Sequence, residues 1–112
     1  MPGRLRRGEV YLANLNPTVG SEQRGVRPVV VLQNEVGNRV SPTVIVAPLT
    51  SRPKRQELPT HVPLPNGDGL VLLEQLRTID RRRLRKFLGR LDPITLAAVD
   101  EALRTSLGLE NP

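Results

Sequence analysis

Cysteine is absent from this chain of 112 residues. Disulfides, thiolate metal ligands and cysteine nucleophiles are therefore excluded, a usage that fits a reducing compartment. Tryptophan is absent too, and Tyr11 and Phe87 are the only aromatic side chains. Modules that stack successive bases on aromatic platforms cannot be built from two rings. Any nucleic-acid contact must therefore fall on phosphates and on base edges. With His61 as the one histidine, a three-ligand zinc set would need two carboxylates, and no metal site is expected. No run approaches the roughly 20 apolar residues of a membrane helix. The basic start Arg4-Leu5-Arg6-Arg7 is followed by no apolar leader core. The chain is expected to be cytoplasmic, with no membrane partner.

What is present is positive charge. Seventeen Lys and Arg stand against eleven Asp and Glu, a net charge of +6. Such a surplus is the electrostatic footprint of a nucleic-acid binder. It is clustered at Arg4, Arg6 and Arg7, at Arg52, Lys54 and Arg55, and most densely from Arg81 to Arg90, where six of ten residues are basic. The last cluster is expected to form a general phosphate-attracting surface. The length is that of one domain, residues 1–112.

Strand signals come early. Residues 8–13 are β-formers ending in the turn Asn14-Leu15-Asn16-Pro17, and residues 18–26 are a long polar loop. Val29-Val30-Val31-Leu32 is an uninterrupted apolar run suited to a strand buried on both sides, with Pro28 tolerable only at its start. Residues 34–42 read as a second polar loop, 43–50 as a strong strand, and 51–59 as a mobile basic segment. Alternation at Thr60-His61-Val62-Pro63-Leu64 marks a half-exposed strand. Residues 65–69 form a turn, 70–77 the next strand, and Asp80 caps a helical turn at 81–83 before a strand at 84–91. Asp92-Pro93 is an N-cap with proline at the first helical position. Leu96, Val99, Leu103 and Leu107 form a helical stripe, and Gly108 is the stop. Five to six short strands and a terminal helix predict a mostly-β α+β domain, a small barrel or sandwich.

The usual catalytic constellations fail. No G-x-S-x-G elbow serves a His61 triad, no P-loop exists, and the acids are too scattered for a two-metal nuclease. RNA cleavage by its own 2′-hydroxyl remains open. It asks only for help with two proton transfers and for stabilisation of negative charge on phosphorus.

Three segments carry a resemblance. They are Arg7-Gly8-Glu9-Val10-Tyr11, the stretch from Gly20-Ser21-Glu22-Gln23-Arg24-Gly25-Val26-Arg27-Pro28 through Val29-Val30-Val31-Leu32-Gln33-Asn34, and Leu73-Glu74-Gln75-Leu76-Arg77-Thr78-Ile79-Asp80. Together with Pro59-Thr60-His61-Val62 and the helix from Asp92, they resemble the MazF/PemK/Kid toxin ribonucleases over about residues 6–109. The resemblance implies an SH3-like barrel and a homodimer. It implies a sequence-specific, metal-independent endoribonuclease that cuts single-stranded mRNA to 2′,3′-cyclic phosphate and 5′-hydroxyl ends, with no cofactor. It implies an antitoxin with an acidic tail, and DNA bound only through the antitoxin complex.

It further implies Arg27 and Thr50 as the catalytic pair. A guanidinium holds a phosphorane with two parallel hydrogen bonds but is a poor base. Charge stabilisation is therefore Arg27's expected role, with Thr50 donating its hydroxyl to a non-bridging oxygen. Arg7, Glu22, Gln23, Arg24, Leu58, His61 and Gln75 are the expected substrate-binding residues. Arg24 stands where relatives often have a small residue, and residues 51–69 are short beside many relatives, so the RNA word need not match theirs. The rival reading is a non-catalytic basic barrel that binds DNA or poisons a protein target such as gyrase; such a protein needs no phosphate-gripping arginine.

Overall fold

β-Branched runs dominate the first half of the chain, and they pair antiparallel around one long strand. The structure, a computed structural model, describes residues 4–51, 58–65 and 67–109. The strands are β1 (Glu9–Asn14), β2 (Val26–Val31), β3 (Thr43–Thr50), β4 (His61–Pro63), β5 (Leu70–Leu72), β6 (Arg77–Asp80) and β7 (Leu84–Arg90). The helices α1 (Glu35–Val40) and α2 (Pro93–Ser106), and 3-10 turns at Leu73–Gln75 and Arg81–Arg83, complete the order among the described residues.

The sheet runs β4-β5-β3-β2-β1-β7, with β6 also on β3. β3 is the hub. Its first half pairs Thr43–Val46 with Asp80–Arg77, and its end pairs Leu49 and Thr50 with Val71 and Leu70. Its other edge pairs Val46–Pro48 with Val31–Val29. Among the described residues no ladder joins β7 back to β4 or β6, so the barrel stays open. The expected class, mostly β with a C-terminal helix, is the one observed.

β2 shows why the apolar run is continuous. Val29 and Val31 enter one core cluster with Tyr11, Ala13, Leu15, Val44 and Val46, while Val30 enters a second with Val10, Ala47, Leu49, Val71 and Val99 beneath α2. All three valines are fully buried, each worth about 1.5–3 kcal/mol of hydrophobic transfer. Pro28 lies inside β2 rather than before it. The β2–β3 ladder begins one residue later, at Val29, so no ladder on that side asks Pro28 for a donor.

Several expected elements are corrected. Residues 34–42 are not a loop. Asn34 accepts a hydrogen bond from the Gly37 N–H and caps α1, and Arg81 donates to the carbonyls of Gly37, Asn38 and Ser41 at its far end. A weak helical sequence is thus held by a residue 40 or more positions away. The single strand expected at 70–77 is broken by the turn Leu73–Gln75 into β5 and β6, which pair with different parts of β3. Among the described residues there are seven strands, not five or six. α2 does begin at the Asp92 cap, whose carboxylate accepts from the Thr95 N–H, and Asp80 caps its turn through Arg82. The α2 stripe is shifted, however. Thr95, Val99 and Ala102 are buried, Leu96 and Leu103 pack against the cluster, and Leu107 is left exposed. The segment expected to be mobile lies mostly outside the described residues.

Candidate active site

The C-terminal end of β3 separates two clefts, each of about 250 Å³. Arg27 and Thr50 line the first, with Pro28, Leu49, Ser51 and Leu64 among its other walls. Arg27 is half-buried on β2 opposite Ala13, and its Nε donates to the Arg24 carbonyl at 3.0 Å. The Arg27 side chain makes no other hydrogen bond among the described residues, so both terminal amino groups can meet a ligand in parallel. Thr50 ends β3 and is 2% exposed. Its backbone is crossed closely by Gly69, which pairs φ +130° with a position where a Cβ would overlap the Thr50 carbonyl oxygen. Only glycine fits both conditions.

The second cleft is lined by Glu22 and Gln23 of the β1–β2 loop and by Glu74, Gln75 and Arg77 across it. Leu15, Pro48 and Leu76 supply its apolar walls. The loop is fixed from both ends. Gln75 Oε1 accepts the Gln23 N–H at 2.8 Å, and Arg77 Nη1 donates to the Leu15 carbonyl at 3.1 Å. Glu22 Oε1 accepts the Val19 N–H at 3.1 Å within the loop itself.

Glu74 is held from behind by His61 and Thr60, whose Nε2 and Oγ1 lie 2.8 Å and 3.0 Å from its two carboxylate oxygens. Partial burial pushes the Glu74 carboxyl up, but hydrogen bonds from His61, its own backbone and Thr60 outweigh this and hold it below the usual carboxylate range. His61 Nδ1 accepts the Leu58 N–H at 3.2 Å, so the Nε2 nitrogen carries the proton given to Glu74. The His61 side chain is 4% exposed and lines neither cleft.

The expected site residues therefore divide. Arg27 and Thr50 share one cleft, and Glu22, Gln23 and Gln75 share the other. His61 and Leu58 stand behind Glu74 as its support. Arg24 contributes its carbonyl to Arg27 while its side chain is exposed on the loop. Arg7 lines neither cleft: its Nε donates to the Leu32 carbonyl and its Nη2 lies 2.6 Å from Asp100 on α2. Nor is the 81–90 run a uniform phosphate surface. Arg81 caps α1, Arg82 pairs with Asp80, Arg83 donates to the carbonyls of Asn14 and Asn16, and Arg90 lies 3.5 Å from Glu9. Arg85 and Lys86 are exposed, with no ion pair among the described residues.

Two carboxylates were not singled out from sequence. Asp68 lines the Arg27 cleft from the turn after β4. Glu74 reaches the second cleft because the turn Leu73–Gln75 interrupts the strand; nothing in the apolar run before it marks the break. Among the described residues no group of three or more His, Asp or Glu could hold a metal ion.

An open antiparallel sheet with a terminal helix, and an arginine and a threonine sharing a cleft at the end of its longest strand, define a class of small single-sheet proteins. Solved structures share that architecture. MazF from Deinococcus radiodurans is 33% identical, with a TM-score of 0.82 over 94% of this chain and 97% of that one. An endoribonuclease in complex with its cognate antitoxin, from a mycobacterial species, is 30% identical, with a TM-score of 0.80 over 95% and 97%. A MazE–MazF complex from D. radiodurans is 32% identical, with a TM-score of 0.76 over 95% and 97%. The family model for the PemK-like, MazF-like toxin of type II toxin–antitoxin systems matches residues 6–107. The chain belongs to this family.

Proposed function

We propose that this toxin is an endoribonuclease that cleaves single-stranded mRNA at a specific sequence. The observation that carries the reading is the shared cleft of Arg27 and Thr50 in a chain so similar to an endoribonuclease of known structure. Arg27 grips the scissile phosphate through its two terminal amino groups and stabilises the charge that grows on the phosphorane. Thr50 donates its hydroxyl to a non-bridging oxygen. The 2′-oxygen bonds to phosphorus as the bond to the 5′-oxygen breaks, leaving a 2′,3′-cyclic phosphate, and the departing 5′-oxygen takes a proton from solvent to become the 5′-hydroxyl. Asp68 is the carboxylate of that cleft and receives the 2′-hydroxyl proton. This chemistry needs neither a metal nor a cofactor. Glu22, Gln23 and Gln75 contact the bases flanking the cut.

The protein works as a cytoplasmic homodimer, restrained by an antitoxin with an acidic tail that competes for the Arg27 cleft. It meets DNA through the antitoxin complex alone. Support comes from the solved toxin–antitoxin complexes it resembles, and among the described residues no helix is long and apolar enough to cross a membrane.

Incubation with long single-stranded RNA and the matching DNA in EDTA tests the reading. Cuts at few sites in RNA alone are expected, and Arg27→Ala is expected to abolish them while the folded protein persists. Intact RNA across diverse transcripts removes the enzyme reading and favours a protein-directed poison. Unchanged cutting by Arg27→Ala removes the mechanism.

A further inference from the structure

The second cleft is a poor place for a phosphate. Two carboxylates, Glu22 and Glu74, line it, and they repel an anion however basic the rest of the chain is. Its walls are aliphatic, from Leu15, Pro48 and Leu76, and neither aromatic ring of the chain reaches it: Tyr11 is buried against Phe87 on the far sheet edge, ring centroids 5.5 Å apart. A flat apolar group can slide between such walls, but stacking on aliphatic surface carries little identity. Recognition must come from hydrogen bonds at the polar rim.

That rim is rich in acceptors. Glu74 has its oxygens already fixed by His61, Thr60 and its own backbone, so it is aimed before any ligand arrives, and it keeps lone-pair capacity for a further donor. It is held in the ionised form. Glu22 keeps Oε2 beyond its bond to Val19. Donors are present too. Gln75 has its oxygen committed to Gln23, leaving its amide nitrogen, and Arg77 uses one terminal nitrogen on Leu15, leaving the others.

We propose that this cleft reads a guanine of the substrate RNA, by its Watson–Crick edge. Guanine presents two adjacent donors, the N1–H and the N2 amino group, to the carboxylates, with the O6 acceptor beside them for Gln75 or Arg77. Uracil places two carbonyl acceptors around a single N–H, and cytosine and adenine offer one amino donor with no second N–H beside it. Among the four bases, guanine alone satisfies a carboxylate with two parallel hydrogen bonds. The proposal rests on the reading of the chain as an RNA-cutting enzyme, and it deepens that reading by naming the base.

The test separates the two. A short randomised single-stranded RNA pool is selected for binding to Arg27→Ala protein, which leaves the pool uncut, and the bound fraction is sequenced. One fixed guanosine is expected. Replacing it with inosine, which lacks the N2 amino group, is expected to weaken binding about tenfold or more, whereas 7-deazaguanosine, altered only on the opposite edge, binds as well as guanosine. Glu22→Gln, an exposed loop change expected to leave the unfolding temperature unchanged, and Glu74→Gln are each expected to erase the difference between guanosine and inosine. A pool with no fixed guanosine, or equal affinity for inosine, overturns the proposal. Guanosine selection by a protein whose wild type cuts no RNA overturns the enzyme reading and leaves the base assignment standing.

Discussion

Arg27 enters its cleft with one of its three nitrogens already committed to the Arg24 carbonyl, which fixes the plane of the guanidinium before RNA arrives. A lysine at this position keeps the charge and loses both the fixed plane and the paired hydrogen bonds. Arg27→Lys is therefore expected to cut roughly 10²–10³-fold more slowly than wild type, the range seen when a preorganised donor to a developing anion is removed; single-turnover cleavage reads this directly. Asp68 belongs to the same scale. As the residue that takes the 2′ proton, Asp68 is expected to be needed for speed, so Asp68→Asn lowers the single-turnover cleavage rate by roughly 10²-fold or more while RNA binding persists. An unchanged rate in the variant places the base elsewhere.

At the scale of elements, the β1–β2 loop is preorganised by residues far along the chain. Gln75 and Arg77 hold it through Gln23 and Leu15, and the same loop carries the carbonyl that orients Arg27. Gln75→Ala removes a hydrogen bond worth about 1 kcal/mol. It is expected to speed hydrogen exchange at the Gln23 amide and to lower kcat/KM by roughly fivefold without changing the unfolding temperature much. By contrast Leu73→Ala, at a fully buried position under α2, is expected to cost about 2–5 kcal/mol of stability, measured by denaturant unfolding.

Local signals decide which of these elements can be read in sequence. The apolar run Val29–Leu32 and the Asp92-Pro93 helix start speak for themselves, because burial on both faces and an N-cap leave marks within a few residues. α1 leaves only its Asn34 cap, too little to mark a helix whose far end depends on Arg81. The break after Leu72 is equally silent, because a strand and a turn can share one apolar run when both are buried. The same limit applies to the site. Arg27 and Thr50, expected together from motif resemblance, share a cleft, whereas the partners that aim Glu74 come together only in space. Arg7 and His61 have the residue types of a site, but here they hold the scaffold.

At the scale of the molecule, charge sets both binding and stability. Binding of single-stranded RNA should weaken linearly in log affinity against log salt, with a slope of about −0.7 for each phosphate neutralised. Arg85→Ala and Lys86→Ala are each expected to flatten the slope by about that amount if RNA crosses β7, and to leave it unchanged otherwise. Stability should fall on both sides of neutrality. Glu74, Asp80 and Asp92 are all held below the ordinary carboxylate range, Glu74 against its burial and the other two through hydrogen bonds to Arg82 and Thr95 respectively. What they add is present above that range and is lost as pH drops through the lowered values. Tyr11 works in the opposite direction. Burial, with the neighbouring Glu9 carboxylate, pushes its hydroxyl up from 10.0 to about 12, so its contribution is whole below 10.0 and disappears as pH climbs past about 12. Unfolding temperatures across the pH range are expected to trace a plateau with two shoulders.

Gly69 gives this molecule a silent off-switch that no charged group advertises. A single methyl group placed there would press on the main chain of Thr50 and tilt its hydroxyl, with every arginine and glutamate of the surface left where it was. Gly69→Ala should thus yield a decoy: a protein that still captures its RNA and its inhibitor in a pull-down, yet is harmless to the cell that makes it.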